Sequence, residues 1–384
     1  MILHVIDNLY PESGGPPTVA IELVRQQAVM GKKVALLCSH APRKPEQRAL
    51  LAERWRGLDI EYIVLDELTE GGLRGARAAM DRLRPQIVHI HCMWEALVRQ
   101  MAAHARKRGV PFVLSTHGML HPYALAQKRL KKLVYLTLFP VIVRGAGELF
   151  ALNREEALYI TERFRRPASV LANGIAVDDY AKPECGLFRS RFPAIGQRPF
   201  VLFVGRLHPI KGIDKLMRSY AHARARGLEL DLALVGPDDG ERPALESLAR
   251  ELGLVDHVHF TGGLFGAEKR DAFAACSIFA HRPRFEGFGI TVVEGLASGK
   301  PVVTTRECKL DGSAEAGALR MVEDSDEAFG DALLEIARSA DQGRALGIRG
   351  QEWARANLGW EALVGQAAAA YRRVCGASPM GQGS

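Results

Sequence analysis

Short apolar runs and helix-length stretches alternate along almost the whole chain, a pattern that allows little besides a parallel sheet wrapped by helices. In the first half the predicted strands are 2–6, 33–38, 60–65, 87–91, 112–116, 149–152 and 169–171, with helical stretches such as 19–30, 72–83 and 96–108 between them. The pattern breaks at 178–198, where Pro183, Gly186, Pro193 and Gly196 sit among polar residues, and this segment reads as a linker. A second series follows, with strands at 200–204, 230–235, 258–260, 278–280 and 302–304 and helices at 211–226, 241–252, 269–276 and 290–298. From Glu327 onward the chain reads as entirely helical. A length of 384 residues is too great for one compact core and suits two domains. The predicted fold class is α/β: two Rossmann-like, doubly wound domains, 1–177 and 199–356, whose strand C-terminal ends face an interdomain cleft.

Composition narrows the class of protein. Apolar residues at 47% and charged residues at 25% are ordinary for a soluble globular chain. Cysteines 38, 92, 185, 276, 308 and 375 are scattered, with no C-x-x-C pair and no metal-ligand spacing, so they read as buried apolar residues in a reducing compartment. Met1 leads directly into the first predicted strand without a signal segment, which gives cytoplasmic as the expected location. The longest apolar run, Leu133 to Val143, is too short and too broken by Thr137 and Pro140 to span a bilayer. Directly before it lies the densest basic cluster, Lys128-Arg-Leu-Lys-Lys132, in a chain of net charge +7. That stretch suits peripheral contact with an anionic membrane, at the inner face of the cytoplasmic membrane, or equally a solvated face backing a core helix. The positive charge is modest and not interleaved with aromatics, so nucleic acid is not expected as a partner.

One stretch carries chemistry. In Arg284-Phe-Glu-Gly-Phe-Gly-Ile-Thr-Val-Val-Glu294, two carboxylates stand eight positions apart across a glycine-rich turn that opens a helix, stopped at Gly299. Gly287 and Gly289 let backbone approach a ligand, and the free N–H groups at the helix start favour a phosphate. Glu286 belongs to the loop facing that ligand, whereas Glu294, a turn inside the helix, is placed to reach a polyol such as a ribose. In isolation Glu286 reads as an exposed loop carboxylate in a salt bridge, and the bland reading of Glu294 is a helix carboxylate gaining from the dipole; the glycines and the helix start favour ligand contact. Arg206 emerges at the C-terminus of the strand 200–204, where open α/β sheets bind ligands, and with Lys211 forms a cationic pair for a diphosphate. Such a pair stabilises the departing charge electrostatically and removes the need for a metal or other cofactor. Asp324-Ser-Asp326 spells a metal-binding D-x-D triplet but reads as a solvated loop.

Glu286-x7-Glu294, with Gly299-Lys-Pro-Val-Val303, Val204-Gly-Arg-Leu-His-Pro-Ile-Lys-Gly212 and Pro11-Glu-Ser-Gly-Gly15, resembles the retaining glycosyltransferases of family four, which have the GT-B fold. The resemblance covers nearly the whole chain, with the blocks in the right order. It implies that the last helix, within 357–384, crosses back to the first domain; the tail after Cys375 reads as disordered. It implies a donor-binding set of Gly15, Arg206, Lys211, Glu286, Gly287, Phe288, Gly289, Ile290 and Glu294. Catalysis would rest on His117, Glu286, Arg206 and Lys211, with no metal site. His117, at the tip of the strand 112–116, would hydrogen-bond the transferred sugar, and Glu286 would face positive charge developing at C1. Lys128, Arg129, Lys131 and Lys132 read as acceptor-side or surface residues, and Asn173-Gly174 as a plain turn. Gly236-Pro237 and Gly262-Gly263-Leu264 are candidates to line the base pocket. Two segments depart from the family pattern: His281-Arg-Pro-Arg284, and Arg306 to Ser313, where a Gly-Gly-x-x-Glu turn is usual.

The reading that follows is transfer of a hexosyl unit from a GDP- or UDP-linked nucleotide sugar to an acceptor hydroxyl, in exopolysaccharide or lipopolysaccharide assembly on a glycan or lipid-linked acceptor. Alternatives are a small soluble acceptor such as an aminocyclitol, a GT-B sugar-nucleotide isomerase or phosphorylase, and a catalytically silent binding protein. A nicotinamide-dependent enzyme is disfavoured, because no G-x-G-x-x-G follows the first strand.

Overall fold

The computed structural model describes residues 1–10, 15–65, 70–181 and 186–376. Two compact units divide the chain: Met1–Gly174 together with the segment from Trp360, and Ile175–Gly359.

The first unit is built on seven parallel strands, β1 (Ile2–Asn8), β2 (Val34–His40), β3 (Ile60–Val64), β4 (Ile87–His91), β5 (Phe112–Ser115), β6 (Glu148–Ala151) and β7 (Ala168–Val170), in the order β3-β2-β1-β4-β5-β6-β7. β2, β4, β5 and β6 are buried almost throughout, as strands covered by helices on both faces must be. The second unit has six, β8 (Phe200–Val204), β9 (Asp231–Val235), β10 (Val258–Gly262), β11 (Ile278–His281), β12 (Val302–Thr305) and β13 (Arg320–Val322), in the order β10-β9-β8-β11-β12-β13. Strand order reverses at β1/β4 and at β8/β11, and at such a switch point loops leave neighbouring strands in opposite directions and open a crevice. The architecture is two Rossmann-like α/β units.

Three sequence readings need correction. The segment 178–198 is not a free linker. Its described parts form short helices, Val177–Ala181 and Leu187–Arg191, packed in the second unit. Phe188 is fully buried, and its N–H and that of Gly186 donate to the Asp271 carboxylate at 2.6 and 3.1 Å. The burial of Phe188 and Ile195 outweighs the turn residues around them, and the chain divides instead at 174/175 and 359/360. Pro183 and Cys185 lie outside the described residues, as do Pro11 to Gly14 and the tail 377–384. Strand β13 has no counterpart among the predicted strands, because three half-exposed edge residues carry little pattern. Finally, the basic stretch meets the core only in part: Tyr135 and Leu136 pack against it, but Arg129–Leu138 has no fully buried residue, and Leu130, Leu133, Val134 and Leu138 are all exposed.

The last helix, Trp360–Gly376, buries Trp360, Leu363, Val364, Ala367, Ala370, Tyr371 and Val374, a single stripe at helical spacing, within the first unit. A Cβ on Gly174 would lie 2.5 Å from the Trp360 ring, so that glycine is what lets the helix seat. Among the described residues, no helix is long and apolar enough to cross a membrane.

Candidate functional site

Groups in the second unit gather at the β8/β11 switch point. β8 ends at Val204, and Gly236, after β9, approaches so closely that a Cβ there would sit 1.7 Å from the carbonyl oxygen of the following Gly205. Arg206 therefore leaves a backbone with no room to shift. Its side chain is exposed and donates to Asp239, which follows Gly236-Pro237.

The chain then turns through Pro209–Lys211, capped by the His208 ring, and passes Gly212 at φ +62°. A Cβ on Gly212 would meet the Arg282 carbonyl oxygen at 2.2 Å. The Ile210 carbonyl accepts from the Arg284 N–H at 2.9 Å, which zips this turn to the loop after β11. Lys211 Nζ thereby reaches Glu286 Oε2 at 2.5 Å, with both side chains mostly buried. His281, fully buried at the end of β11, adds its Nε2 at 3.4 Å from the same oxygen. Burial alone would raise the Glu286 pKa, but the His281 hydrogen bond and the Lys211 charge outweigh it and hold the carboxyl below its ordinary value. Glu286 is thus kept anionic. Burial lowers the His281 pKa.

Helix Ile290–Ala297 starts after Gly289 with no side-chain cap; the Ile290 N–H turns back to the Phe288 carbonyl at 2.7 Å, and the next amide groups of the first turn have no intrahelical acceptor. Gly287 faces open space, whereas Gly289 is packed against Val292 and Cys308. Glu294 is buried in this helix; its Oε1 accepts from the Tyr180 hydroxyl at 2.6 Å and from Lys269 at 2.5 Å. Its Oε2 is buried without a hydrogen-bond partner, as is Nδ1 of His281 nearby in the sequence, and it is left open as an acceptor.

Lys211 and Glu286 are brought into direct contact, but Arg206 is paired with Asp239 and Glu294 with Lys269 and Tyr180, none of which stood out in the sequence. The segment His281-Arg-Pro-Arg284 proves to be scaffolding. Buried Arg282 bonds Asp324, Asp326, the Lys215 carbonyl and Ser219, while Arg284 grips Asp214 through two bonds of 2.7 and 2.6 Å. Asp324-Ser-Asp326 is accordingly the far side of a buried guanidinium clamp, not merely a solvated loop. In the other departing segment, Cys308 packs beside Gly289 and meets Thr304 Oγ1 at 2.8 Å, and burial pushes its thiol up to about 12.

The first unit presents a different assembly. His117 sits at φ +50° just beyond β5, followed by Gly118 at φ +80°. This turn is held by buried Glu156, which accepts from Thr116 Oγ1 at 2.8 Å, the Leu120 N–H at 3.2 Å and the Leu152 N–H at 2.9 Å. Behind it the strand register sets His4 of β1 directly beside His89 of β4, and His91 beside Ser115 of β5. His91 Nδ1 lies 3.1 Å from His117 Nε2, and His91 Nε2 lies 3.0 Å from His4 Nδ1. His4 Nε2 is 2.8 Å from Gln27 Oε1; the Gln27 amide donates to the Tyr371 hydroxyl at 3.2 Å, and Tyr371 meets His89 Nδ1 at 2.6 Å. His89 Nε2 closes on Ser115 Oγ at 2.7 Å. Burial depresses all four imidazoles, His4 and His117 to about 4, so they are neutral near pH 7. Nitrogens of His4, His89 and His91 lie within 4.8 Å of one another, a spacing a metal ion can accept, but the ring nitrogens of these residues are engaged in the hydrogen bonds just described.

A small cavity beside this network is lined by His91, His117, Ser115 and Asn173, and Asn173 Oδ1 is buried without a partner. Gly15 faces the Asn173 amide, its ideal Cβ position 3.9 Å from Nδ2. Asn173 is more than a plain turn residue. His121 caps the helix Pro122–Ala126 with its Nδ1 and points Nε2 toward Glu155.

Residues 188–353 match the family of glycosyl transferases group 1, and residues 14–174 match the glycosyl transferase 4-like domain. A GDP-mannose-dependent alpha-(1-6)-phosphatidylinositol monomannoside mannosyltransferase of Mycobacterium tuberculosis is 31% identical over 214 residues, covering 53% of this chain and 54% of the relative. The chain thus spans about half the length of that relative. A D-inositol 3-phosphate glycosyltransferase of Thermomonospora curvata is 28% identical across 92% of this chain and 89% of its own. Among solved structures, Anabaena HepE in complex with UDP superposes with a TM-score of 0.75 at 18% identity, covering 97% of this chain and 99% of that one, a likeness of fold.

Proposed function

Since the chain belongs to the group 1 glycosyltransferases, we propose that it is a retaining hexosyltransferase using a GDP- or UDP-linked sugar as donor. The observation that carries this reading is the Lys211–Glu286 pair beside an uncapped helix start at a topological switch point. Arg206 leaves Asp239 at little cost, because an exposed ion pair is worth only about 0–1 kcal/mol, and takes the donor's phosphate oxygens. Lys211 adds a second positive charge, and the helix N–H groups add oriented dipoles. Two cations, Arg206 and Lys211, stabilise the leaving diphosphate, so the reaction is written without a metal.

Anionic Glu286 faces the positive charge that develops at C1, and the open Glu294 Oε2 accepts a ribose hydroxyl. His117, as the family resemblance implies, contacts the transferred sugar. No carboxylate nucleophile is required if the departing phosphate oxygen deprotonates the acceptor on the same face as it leaves. GDP-mannose in the name of the mycobacterial relative and UDP in the HepE structure support a nucleoside diphosphate sugar.

Arg206→Ala and Lys211→Ala should each lower transfer about 10²–10³-fold in a folded protein. Near-normal turnover in either removes the clamp. NMR of the product should show the donor's anomeric configuration kept; inversion overturns the retaining assignment.

For the acceptor, the exposed apolar face Leu130, Leu133, Val134 and Leu138, beside Lys128, Arg129 and Lys131, favours a lipid-linked glycan met at an anionic membrane surface. The place of the reaction is then the inner face of the cytoplasmic membrane, in surface-polysaccharide assembly. The phosphatidylinositol acceptor in the mycobacterial relative's name points the same way, whereas the inositol phosphate enzyme keeps a small soluble acceptor as the second reading. Co-sedimentation with anionic vesicles at low salt separates them: no binding, or binding unchanged by Leu130→Asp with Leu133→Asp, favours the soluble acceptor.

A further inference from the structure

We propose that Gln27 and Tyr371 are positioning residues that fix the tautomer of His117 through the buried chain His4–His91–His117. Each imidazole is neutral and so carries one proton on one of its two nitrogens. Gln27 Oε1 only accepts, which puts the His4 proton on Nε2 and leaves a lone pair on Nδ1. That lone pair takes the proton of His91 Nε2, and His91 Nδ1 in turn takes the proton of His117 Nε2. His117 is left with an unprotonated Nδ1.

The other side of Gln27 fits the same order. Its amide donates to the Tyr371 oxygen, the Tyr371 hydroxyl donates to His89 Nδ1, and His89 Nε2–H donates to Ser115 Oγ. The opposite order is also self-consistent, and the two are related by a flip of the single Gln27 amide. In the flipped order His4 and His91 carry their protons on Nδ1, and so does His117. One amide in helix Gly15–Val29 and one hydroxyl in helix Trp360–Gly376 therefore decide whether His117 offers a lone pair or an N–H at the nitrogen not used by the network.

This inference rests on the proposed function only where it concerns rate: with Nδ1 unprotonated, His117 accepts a hydrogen bond from a sugar hydroxyl. The tautomer itself is read without activity. Two-bond ¹H–¹⁵N spectra of the full-length ¹⁵N-labelled protein at pH 7.5, with the His117 signals identified by their loss in His117→Gln, should show the Nε2–H form. In Gln27→Met the acceptor is gone and the Nδ1–H form becomes the major one. In Tyr371→Phe, which removes one oxygen and serves should Gln27→Met not fold, the amide is unrestrained and a mixture appears.

A wild-type His117 protonated on Nδ1, or a His117 unchanged in both folded variants, overturns the proposal. Turnover should follow the tautomer, kcat falling roughly tenfold in Gln27→Met with donor KM nearly constant. If the wild type transfers no sugar while the tautomer shifts as described, the proton order stands and the transferase reading fails.

Discussion

The two units arm their switch points with opposite chemistry. In the second, carboxylates are paired with cations: Glu286 with Lys211, Glu294 with Lys269, and Asp324 and Asp326 with Arg282. In the first, the matching place at β1/β4 is filled by neutral imidazoles, an amide and two hydroxyls passing protons along one hydrogen-bonded chain. Charge pairs suit a site that must meet a highly charged ligand, because the ligand can exchange for a partner already present. A neutral network suits a site that must present a single donor or acceptor in a fixed sense. The difference also assigns different weaknesses, acid for the first unit and loss of a partner for the second.

Acid is expected to give the largest effect. His4, His89, His91 and His117 have folded pKa values below 6.5, so the stability of their burial is present above pH 6.5 and is lost as pH falls toward 4. For His4 alone, held at about 4, this amounts to on the order of 3 kcal/mol. Glu156, raised by burial, works in the other direction, its contribution being lost as pH rises through its folded value. In the second unit His281 shares the imidazole window, while the stabilisation from Glu286 is lost only below pH 4.5. Three of the four tryptophans, at 55, 94 and 360, lie in the first unit and only Trp353 in the second. Acid titration followed by tryptophan emission should thus move before far-ultraviolet ellipticity does. Coincident transitions at pH 5 erase the contrast.

Next in size, Gly212→Ala places a methyl at φ +62° against the Arg282 carbonyl oxygen. It should cost about 2–3 kcal/mol, from a left-handed Ala and a displaced loop, and weaken donor binding by pulling Lys211 from Glu286. Calorimetry of the variant with and without nucleotide reads both. The smallest effect is Tyr180→Phe, which removes one of the two donors to Glu294 Oε1 and should cost about 1 kcal/mol. A loss as large as that of Gly212→Ala would show that the Glu294 pair, not the Lys211 turn, is the weak point of the second unit.

Much of the fold was legible because buried parallel strands announce themselves as continuous apolar runs, and each strand read in the sequence has its counterpart in the two sheets. β13 escaped because an edge strand of three residues has no buried face to advertise. The segment 178–198 misled because its prolines and glycines are local signals, while Phe188 docking near Asp271 is a tertiary one. In the site, Lys211 and Glu286 could be read from motif spacing, and their contact is present. Partners supplied from distant positions could not be read this way: Asp239 for Arg206, Lys269 and Tyr180 for Glu294. The histidine chain was hidden for the same reason. His4, His89 and His91 are unremarkable letters inside apolar strands until the register of β1 against β4 makes them neighbours.

The backbone of Gly205 lies so near Gly236 that no volume is left for even a methyl on Gly236. The ends of β8 and β9 are in effect a welded plate from which Arg206 and Asp239 project. Any motion by which this arginine changes hands must then be a rotation of its own side chain over still ground, fast and local, and amide exchange there should be as slow with nucleotide as without it.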